Sequence, residues 1–401
     1  MIELKKISDV FDVGSSKRVF KSEWTSEGVP FYRAREVVKL SKNGYVDNEL
    51  FISEEMFQEY SNKYGVPKSG DILVTGVGTL GVCYQVKDHD RFYFKDGNIV
   101  WLKKRENVSS DYIEYCFKSP FVKRQIQSTA DAAVVGTYTI TNARNTKIPL
   151  PPLDQQKKIA AILDATDAYR QKTKALIEKY DELTQSLFLE MFGDPVTNPK
   201  GWEIKPLSDF IKSLNTGVSV NSTDKEYKNG DIGILKTSCV YTGIFRAEEA
   251  KVIREDEYER MKLNPKADSI IISRMNTSEL VGKSAYISKD YNELYLPDRL
   301  WQSVKGELHH DVRWLSHAVS FQSFMNKISK ISSGTSGSMK NISKKNYLNL
   351  NMIYPTPELQ NQFAERVQAI ESQKAQAQAS LAQAEDLFNS LLQRAFKGEL
   401  V

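Results

Sequence analysis

Apolar positions recur along this chain at two different periods, and the change of period marks how it is organised. From Asp154 to Phe192 there is neither Gly nor Pro, and Ile159, Ile162, Leu163, Tyr169, Leu176, Ile177, Tyr180, Leu183, Leu187 and Met191 follow one another mostly in steps of three and four. That spacing predicts one long helix with a face turned to a partner. Pro151 and Pro152 hold the chain extended before it, and Gly193, Asp194 and Pro195 stop it. At 1.5 Å per residue the rod is about 58 Å long, more than a compact domain needs. Elsewhere the apolar runs are short, alternating or continuous, and bounded by Gly, Asn, Ser and Pro, which predicts strands.

The pattern occurs twice. Pro151, Gln156, Ala160, Ala165, Leu183, Ser186, Leu187 and Phe192 each reappear 204 positions later, as Pro355, Gln360, Ala364, Ala369, Leu387, Ser390, Leu391 and Phe396. A second long helix is therefore expected from Glu358 to Phe396, with Phe363, Val367, Ile370, Ala377, Leu381, Ala384, Leu387, Phe388, Leu391 and Ala395 on its stripe. Of these, Phe363, Val367, Ile370, Leu381, Leu387 and Leu391 would meet Ile159, Leu163, Leu176, Tyr180, Leu183 and Leu187 of the first helix. Weaker echoes link the segments in front. Phe31-Tyr32-Arg33-Ala34 matches Ile234-Leu235-Lys236-Thr237, and Gly70–Val74 matches Ala267–Ile272. The predicted fold is α+β, two similar heads separated by two long antiparallel helices in a coiled coil, with an internal pseudo-two-fold repeat. Its parts run 1–152, 153–194, 195–355 and 356–401.

Two similar heads at a fixed separation suit a ligand with a repeat of its own, and duplex DNA is the leading candidate. The overall charge of +4 decides little, but its distribution does more. Val312–Pro357 contains Arg313, Lys327, Lys330, Lys340, Lys344 and Lys345 and no acid, and Tyr115–Leu153 holds Lys118, Lys123, Arg124, Arg144 and Lys147 against Asp131 alone. Each stretch carries a small, hydroxyl-rich loop just before its long helix, Gly136–Asn142 and Ser332–Asn341. Hydroxyls, amides and backbone N–H groups beside Lys and Arg are what phosphates and base edges require.

Catalytic constellations are scarce. Gly76-Val77-Gly78-Thr79-Leu80-Gly81 has the glycine spacing of a dinucleotide loop, but strand-like Val82–Val86 follows where a helix should start, so a hairpin is expected. No phosphate loop of the GxxxxGK[ST] type and no Asn/Asp-Pro-Pro-Tyr/Phe motif for amino methylation is present. With His at 4 positions and Cys83, Cys116 and Cys239 widely spaced, neither a metal site nor disulfides are expected. No apolar run is long enough to span a membrane, and Met1–Lys6 has no apolar leader core, so a cytoplasmic protein is expected.

Together these features resemble the DNA-specificity subunit of type I restriction–modification systems. Ile148-Pro149-Leu150-Pro151-Pro152-Leu153-Asp154-Gln155-Gln156-Lys157-Lys158-Ile159-Ala160 is similar to that family's approach to its helical region, and Ser336-Gly337-Ser338-Met339-Lys340-Asn341-Ile342 to the loop before it. Gly70–Gly81 resembles the strand and turn inside its recognition domain. The second approach, Tyr354-Pro355-Thr356-Pro357-Glu358-Leu359-Gln360, departs from the pattern by lacking the double Pro and the Leu.

The resemblance implies a non-catalytic subunit that reads a split asymmetric site in double-stranded DNA, one part per head. Its helices would set the half-site spacing and dock two methyltransferase (modification) subunits that act on adenine N6, and restriction/motor subunits would join that core. S-adenosylmethionine, ATP and Mg would then belong to partner chains and no cofactor to this one. A specificity subunit of a type II system and a coiled-coil protein-binding adaptor are the alternative readings. The residues expected to face DNA are Arg33, Lys68, Thr79, Tyr138, Thr139 and Asn142 in the first head, and Lys236, Arg274, Asn276, Ser336, Ser338, Lys340 and Asn341 in the second. Arg and Lys suit guanine O6 and N7, and Asn suits adenine.

Overall fold

The computed structural model describes residues 3–105, 108–131, 136–334 and 339–400. It divides into two compact units, 1–175 with 378–401 and 176–377.

In the first unit a short ribbon of β1 (Leu4–Lys6) and β9 (Lys147–Pro149) brings the N-terminal segment beside the approach to the long helix. Between them lies a four-stranded sheet, in the order β2 (Phe11–Gly14), β8 (Ile99–Lys104), β5 (Ile72–Thr75), β6 (Cys83–Gln85). Beside it lies a three-stranded sheet of β4 (Phe51–Ile52), β3 (Val29–Tyr32) and β7 (Tyr93–Phe94). The period of two decides what each face of the larger sheet covers. Ile72 and Val74 of β5, with Val100 and Leu102 of β8, join a core that includes α4 (Ser110–Lys118) and α5 (Pro120–Asp131). Leu73, Ile99 and Trp101 face the other way, toward Val37 and Leu40 of α2 (Ala34–Asn43). Both faces are dry, which is why these strands read as continuous apolar runs. Other helices of this unit include α1 (Ile7–Val10), α3 (Glu54–Tyr64) and α6 (Ile140–Asn145).

The second unit repeats the plan. A ribbon of β10 (Glu203–Pro206) and β20 (Asn351–Tyr354) frames it. The larger sheet runs β11 (Ile211–Thr216), β18 (Leu300–Lys305), β14 (Ser269–Ser273), β16 (Ser284–Ile287), and the smaller one β13 (Ala250–Val252), β12 (Gly233–Leu235), β17 (Leu294–Tyr295). Ile270 and Ile272 look toward α8 (Leu207–Phe210), α9 (Val312–Ser320) and α10 (Gln322–Ile331), while Ile271 looks away into a second cluster. Two more elements matter below: the ribbon of β15 (Met275–Asn276) with β19 (Lys340–Asn341), and α11 (Lys344–Leu348).

Two long helices run through both units, α7 (Leu153–Phe192) and α12 (Pro357–Lys397). Within each unit their segments are antiparallel. In the first, Ile159 and Leu163 share a core with Phe388, Leu392 and Ala395. In the second, Phe363 stands edge-on to Phe188 at 5.5 Å and to Phe192 at 5.4 Å. Burying each such ring is worth roughly 1.5–3 kcal/mol, and aromatic pairing adds about 1 kcal/mol.

The seam differs from the leucine stripe expected from the sequence. Ile159, Leu163, Phe363 and Val367 are buried in it, and Tyr180, Leu187, Ile370, Leu381 and Leu391 are partly so. Leu176, Leu183 and Leu387 are not: they are 45%, 49% and 53% exposed. The rows that turn inward carry Ala377 and Ala384 of the expected stripe, together with Thr173 and Lys374, which were not on it. Lys374 bonds Asp181 in the second unit, and in the first Arg170 lies over the Phe388 ring at 4.4 Å while bonding Asp167 at 2.8 Å. Alkyl stems and small residues fill the groove and charged tips reach its rim, so leucine content alone assigned too many residues to the contact face.

Candidate nucleic-acid interface

In the second head the sequence itself forces a cluster. β14 is buried along its whole length, and the chain then leaves the sheet at Arg274 to pair β15 with β19. Met275 stands opposite Asn341 and Asn276 opposite Lys340, and the Ile342 N–H donates to the Arg274 carbonyl at 3.0 Å. Ser333 and Asn341 exchange both backbone bonds at 2.9 Å. Four of the residues expected to face DNA therefore share one ribbon.

Lys236, at the end of β12, is linked to that ribbon by side chains. The Asn276 amide donates to the Tyr241 hydroxyl at 2.6 Å, and that hydroxyl is 2.7 Å from Thr237 Oγ1, next to Lys236. Lys236 itself is exposed, with Glu249 at 3.7 Å. The Ser238 hydroxyl, with help from Lys236 and Arg246, holds the Glu249 carboxyl below the usual range. Arg274 Nε and Asn341 Oδ1 are buried polar atoms without a partner among the described residues. Such groups are costly unless a ligand or water satisfies them. Ser336 and Ser338 lie outside the described residues.

The first head has the same end built from different residues. Tyr32 closes β3 by accepting the Lys95 N–H at 2.8 Å, Asn98 accepts the Gly76 N–H at 2.8 Å, and Gly76 accepts the Tyr138 N–H at 2.9 Å. Arg33, the Lys95–Asn98 turn, the Gly76–Gly81 hairpin and Tyr138–Asn142 thus meet at one end of the sheets. Only Gly fits at 76, because a Cβ there would lie 2.7 Å from the Tyr138 oxygen. The hairpin joins antiparallel β5 and β6, with Ile72 opposite Gln85 and Val74 opposite Cys83.

Arg33 and Thr79 are at this end, and Thr139 is an exposed cap of α6, accepting the Asn142 N–H at 3.1 Å. Asn142 is half-buried, and its carbonyl accepts the Thr146 N–H at 3.0 Å. Two expectations for this head are corrected. Tyr138 is 1% exposed with its hydroxyl 2.8 Å from Thr146 Oγ1, so its ring is core and only its backbone stands at this end of the sheets. Lys68 lies before β5, at the opposite end from Gly76, where its N–H donates to Asp71 at 3.0 Å. Neither burial nor strand end was legible from residue type.

The sequence reading also missed cations that the fold brings here. Arg18 is exposed and bonds Asp96 of the Lys95–Asn98 turn at 3.0 Å, and Lys17 precedes it. In the second head Arg299 is exposed, and its carbonyl accepts the Arg274 N–H at 3.0 Å. The adjacent Lys17-Arg18 pair was the available signal.

A duplicated α/β head ending in a basic, hydroxyl-rich rim and joined to long paired helices defines a class of helix-linked, two-headed protein. The profile of the family described as "Type I restriction modification DNA specificity domain" matches residues 2–180 and again 199–385, and the chain belongs to that family. A putative type I restriction enzyme specificity subunit of Haemophilus influenzae is 34% identical over 167 residues, covering 40% of this chain and 40% of that protein. The Escherichia coli K12 type I restriction enzyme EcoKI specificity subunit is 26% identical over 319 residues, 75% of this chain and 67% of that one. Among solved structures, the type I restriction–modification S subunit of M. genitalium shares the fold. Its TM-score is 0.60 at 14% identity, covering 98% of this chain and 96% of the other.

Proposed function

We propose that this chain is the non-catalytic DNA-recognition subunit of a type I restriction–modification complex, each head reading one half of a bipartite, asymmetric site in double-stranded DNA. The observation that carries this reading is the clustering of Lys236, Arg274, Asn276, Lys340 and Asn341 at one end of the second head, matched at the same end of the first by Arg33, Thr79 and Thr139. Lysine and arginine supply phosphate contacts, and arginine and asparagine carry paired donors and acceptors for base edges. Names of similar proteins point the same way. Two methyltransferase subunits would dock on the helices and act on adenine N6, and restriction/motor subunits would join through them. The helices would fix the gap between half-sites. S-adenosylmethionine, ATP and Mg are assigned to those partners, and the complex is placed in the cytoplasm. Among the described residues no helix is long and apolar enough to cross a membrane.

The test is to map N6-methyladenine in DNA from cells expressing this chain with its methyltransferase. A split motif in which one half changes when one head is exchanged is the expected result. A contiguous palindrome, or no motif, would overturn the reading.

A further inference from the structure

The first head contains a charged clamp that the proposed function does not by itself explain. Glu36 is 3% exposed, on the first turn of α2. It takes the Arg33 N–H at 2.9 Å, Arg33 Nε at 3.2 Å and Arg33 Nη2 at 3.0 Å. Arg35 bonds the same carboxylate through Nε and reaches Glu49 through Nη2 at 2.8 Å. Burial alone would push the Glu36 carboxyl up, but the two guanidinium groups hold it below the usual range. The carboxylate is thus ionised and fixed, and Arg33 is fixed by it.

Which edge of Arg33 is used matters. Glu36 occupies the Nε–Nη2 edge, so the end-on Nη1–Nη2 edge has no partner among the described residues, and the side chain keeps 27% exposure. That free edge presents two parallel donors, the complement of guanine O6 and N7. A guanidinium already gripped on one side loses little further freedom when the other side binds. The Glu36 charge also offsets that of Arg33, which weakens simple attraction to a phosphate relative to a shaped two-bond contact.

Resting on the proposed function, we propose that Glu36 is a positioning residue for base specificity: it aims the free edge of Arg33 at a guanine in the half-site read by the first head. The second head provides the contrast. Lys236 stands at the matching place after its strand, with Glu249 at 3.7 Å, a point charge with no fork to aim.

The competing role is structural, since Glu36 also accepts the N–H that opens α2. The experiment separates the two. The full chain is co-expressed with its methyltransferase, and N6-methyladenine is mapped for wild type, Glu36→Gln and Arg33→Lys; Glu36→Gln keeps an acceptor for the Arg33 N–H. Thermal unfolding of each variant is measured in parallel. Both variants should lose discrimination for guanine at one position of the first head's half-site, on the order of tenfold, with the other half-site unchanged. An unchanged motif in both variants overturns the proposal. So does a motif unchanged in Arg33→Lys while Glu36→Gln unfolds at lower temperature and loses both half-sites together. If wild type itself yields no split motif, it is the proposed function that fails.

Discussion

Gln156 accepts the backbone N–H of Ser109 at 2.9 Å while its own amide donates to the Pro151 carbonyl at 2.8 Å. In the other unit, 204 residues on, Gln360 accepts from Asp311 at 2.9 Å and donates to Pro355 at 2.8 Å. Both glutamines are essentially unexposed, 1% and 0%. Each stitches the start of a long helix to the cap of a helix in its head, which explains why Gln recurs at this offset. Gln156→Leu leaves a donor and an acceptor buried without partners, and should cost the first unit about 2 kcal/mol or more. Gln360→Leu should do the same to the second. Denaturant unfolding followed in each variant checks this; a loss below about 0.5 kcal/mol would deny the stitch any energetic weight.

The displaced seam makes a paired prediction within the second unit. Phe363 is fully buried among Phe188, Phe192 and His317, so Phe363→Ala should destabilise that unit by about 3–5 kcal/mol. Leu183 is 49% exposed, and Leu183→Ala should stay within about 0.5 kcal/mol of wild type. Comparable losses from the two substitutions would restore Leu183 to the seam.

Those cases indicate what the sequence discloses. The repeat, the two long helices and the strands were legible because they rest on local signals: absence of Gly and Pro, identities at one offset, and apolar runs bounded by breakers. The candidate face was legible in part. Arg274, Asn276, Lys340 and Asn341 stood out as basic and amide residues beside strands and loops, and the pairing of β15 with β19 brings them together. Tyr138 and Lys68 did not, because which end of a strand a residue occupies, and whether a ring turns inward, depend on partners far along the chain such as Thr146. Leu176, Leu183 and Leu387 were misassigned for a related reason. Helix faces one residue apart differ little in apolar content, and Thr173 and Lys374 won inner places through fit.

Acid should weaken the second unit through His317. Burial, with Arg313 adjacent, lowers this imidazole to about 4 from its ordinary 6.5. Its folded value is below its unfolded value, so its contribution is complete above pH 6.5. It is lost as pH falls toward 4, where the unfolded chain takes a proton that the folded one refuses. The slope is at most about 1.4 kcal/mol per pH unit. His310 is lowered by burial and acts in the same sense. Glu371, bonded to Arg313 at 2.5 Å, is raised by burial and opposes both. Unfolding free energy of wild type and His317→Leu, compared from pH 7 to 4, isolates the one group: the variant should show the shallower decline.

The outer helical face of the first unit yields a prediction about partners. Tyr169 and Leu387, 53% exposed each, line a groove of about 400 Å³ with Ala165 and Ala384. A methyltransferase subunit seated on the helices would cover such a surface. Tyr169→Ala with Leu387→Ala should therefore leave the melting of the isolated chain within about 0.5 kcal/mol of wild type. The same pair should lower affinity for the methyltransferase by tenfold or more, on the scale of an interface hot spot, as read by calorimetric titration. Unaltered affinity would move the docking surface elsewhere.

Lys340 tests the nucleic-acid face most directly. It sits on β19 opposite Asn276, with its ammonium donating to the Gly334 carbonyl at 3.2 Å, so it can leave that neutral partner at little cost. An ammonium gripping a phosphate releases about one counterion, and the logarithm of affinity then falls with the logarithm of salt by about 0.9 per contact. Lys340→Ala in the full methyltransferase complex should weaken binding to the cognate duplex and reduce the salt slope by about one. The bases methylated should not change, since a phosphate contact carries no sequence information. Asn276 on the facing strand should behave in the opposite way, with Asn276→Ala altering the second half-site at one position and leaving the salt slope alone. Equal salt slopes for wild type and Lys340→Ala would place this ribbon away from the DNA, and with it Arg274 and Asn341.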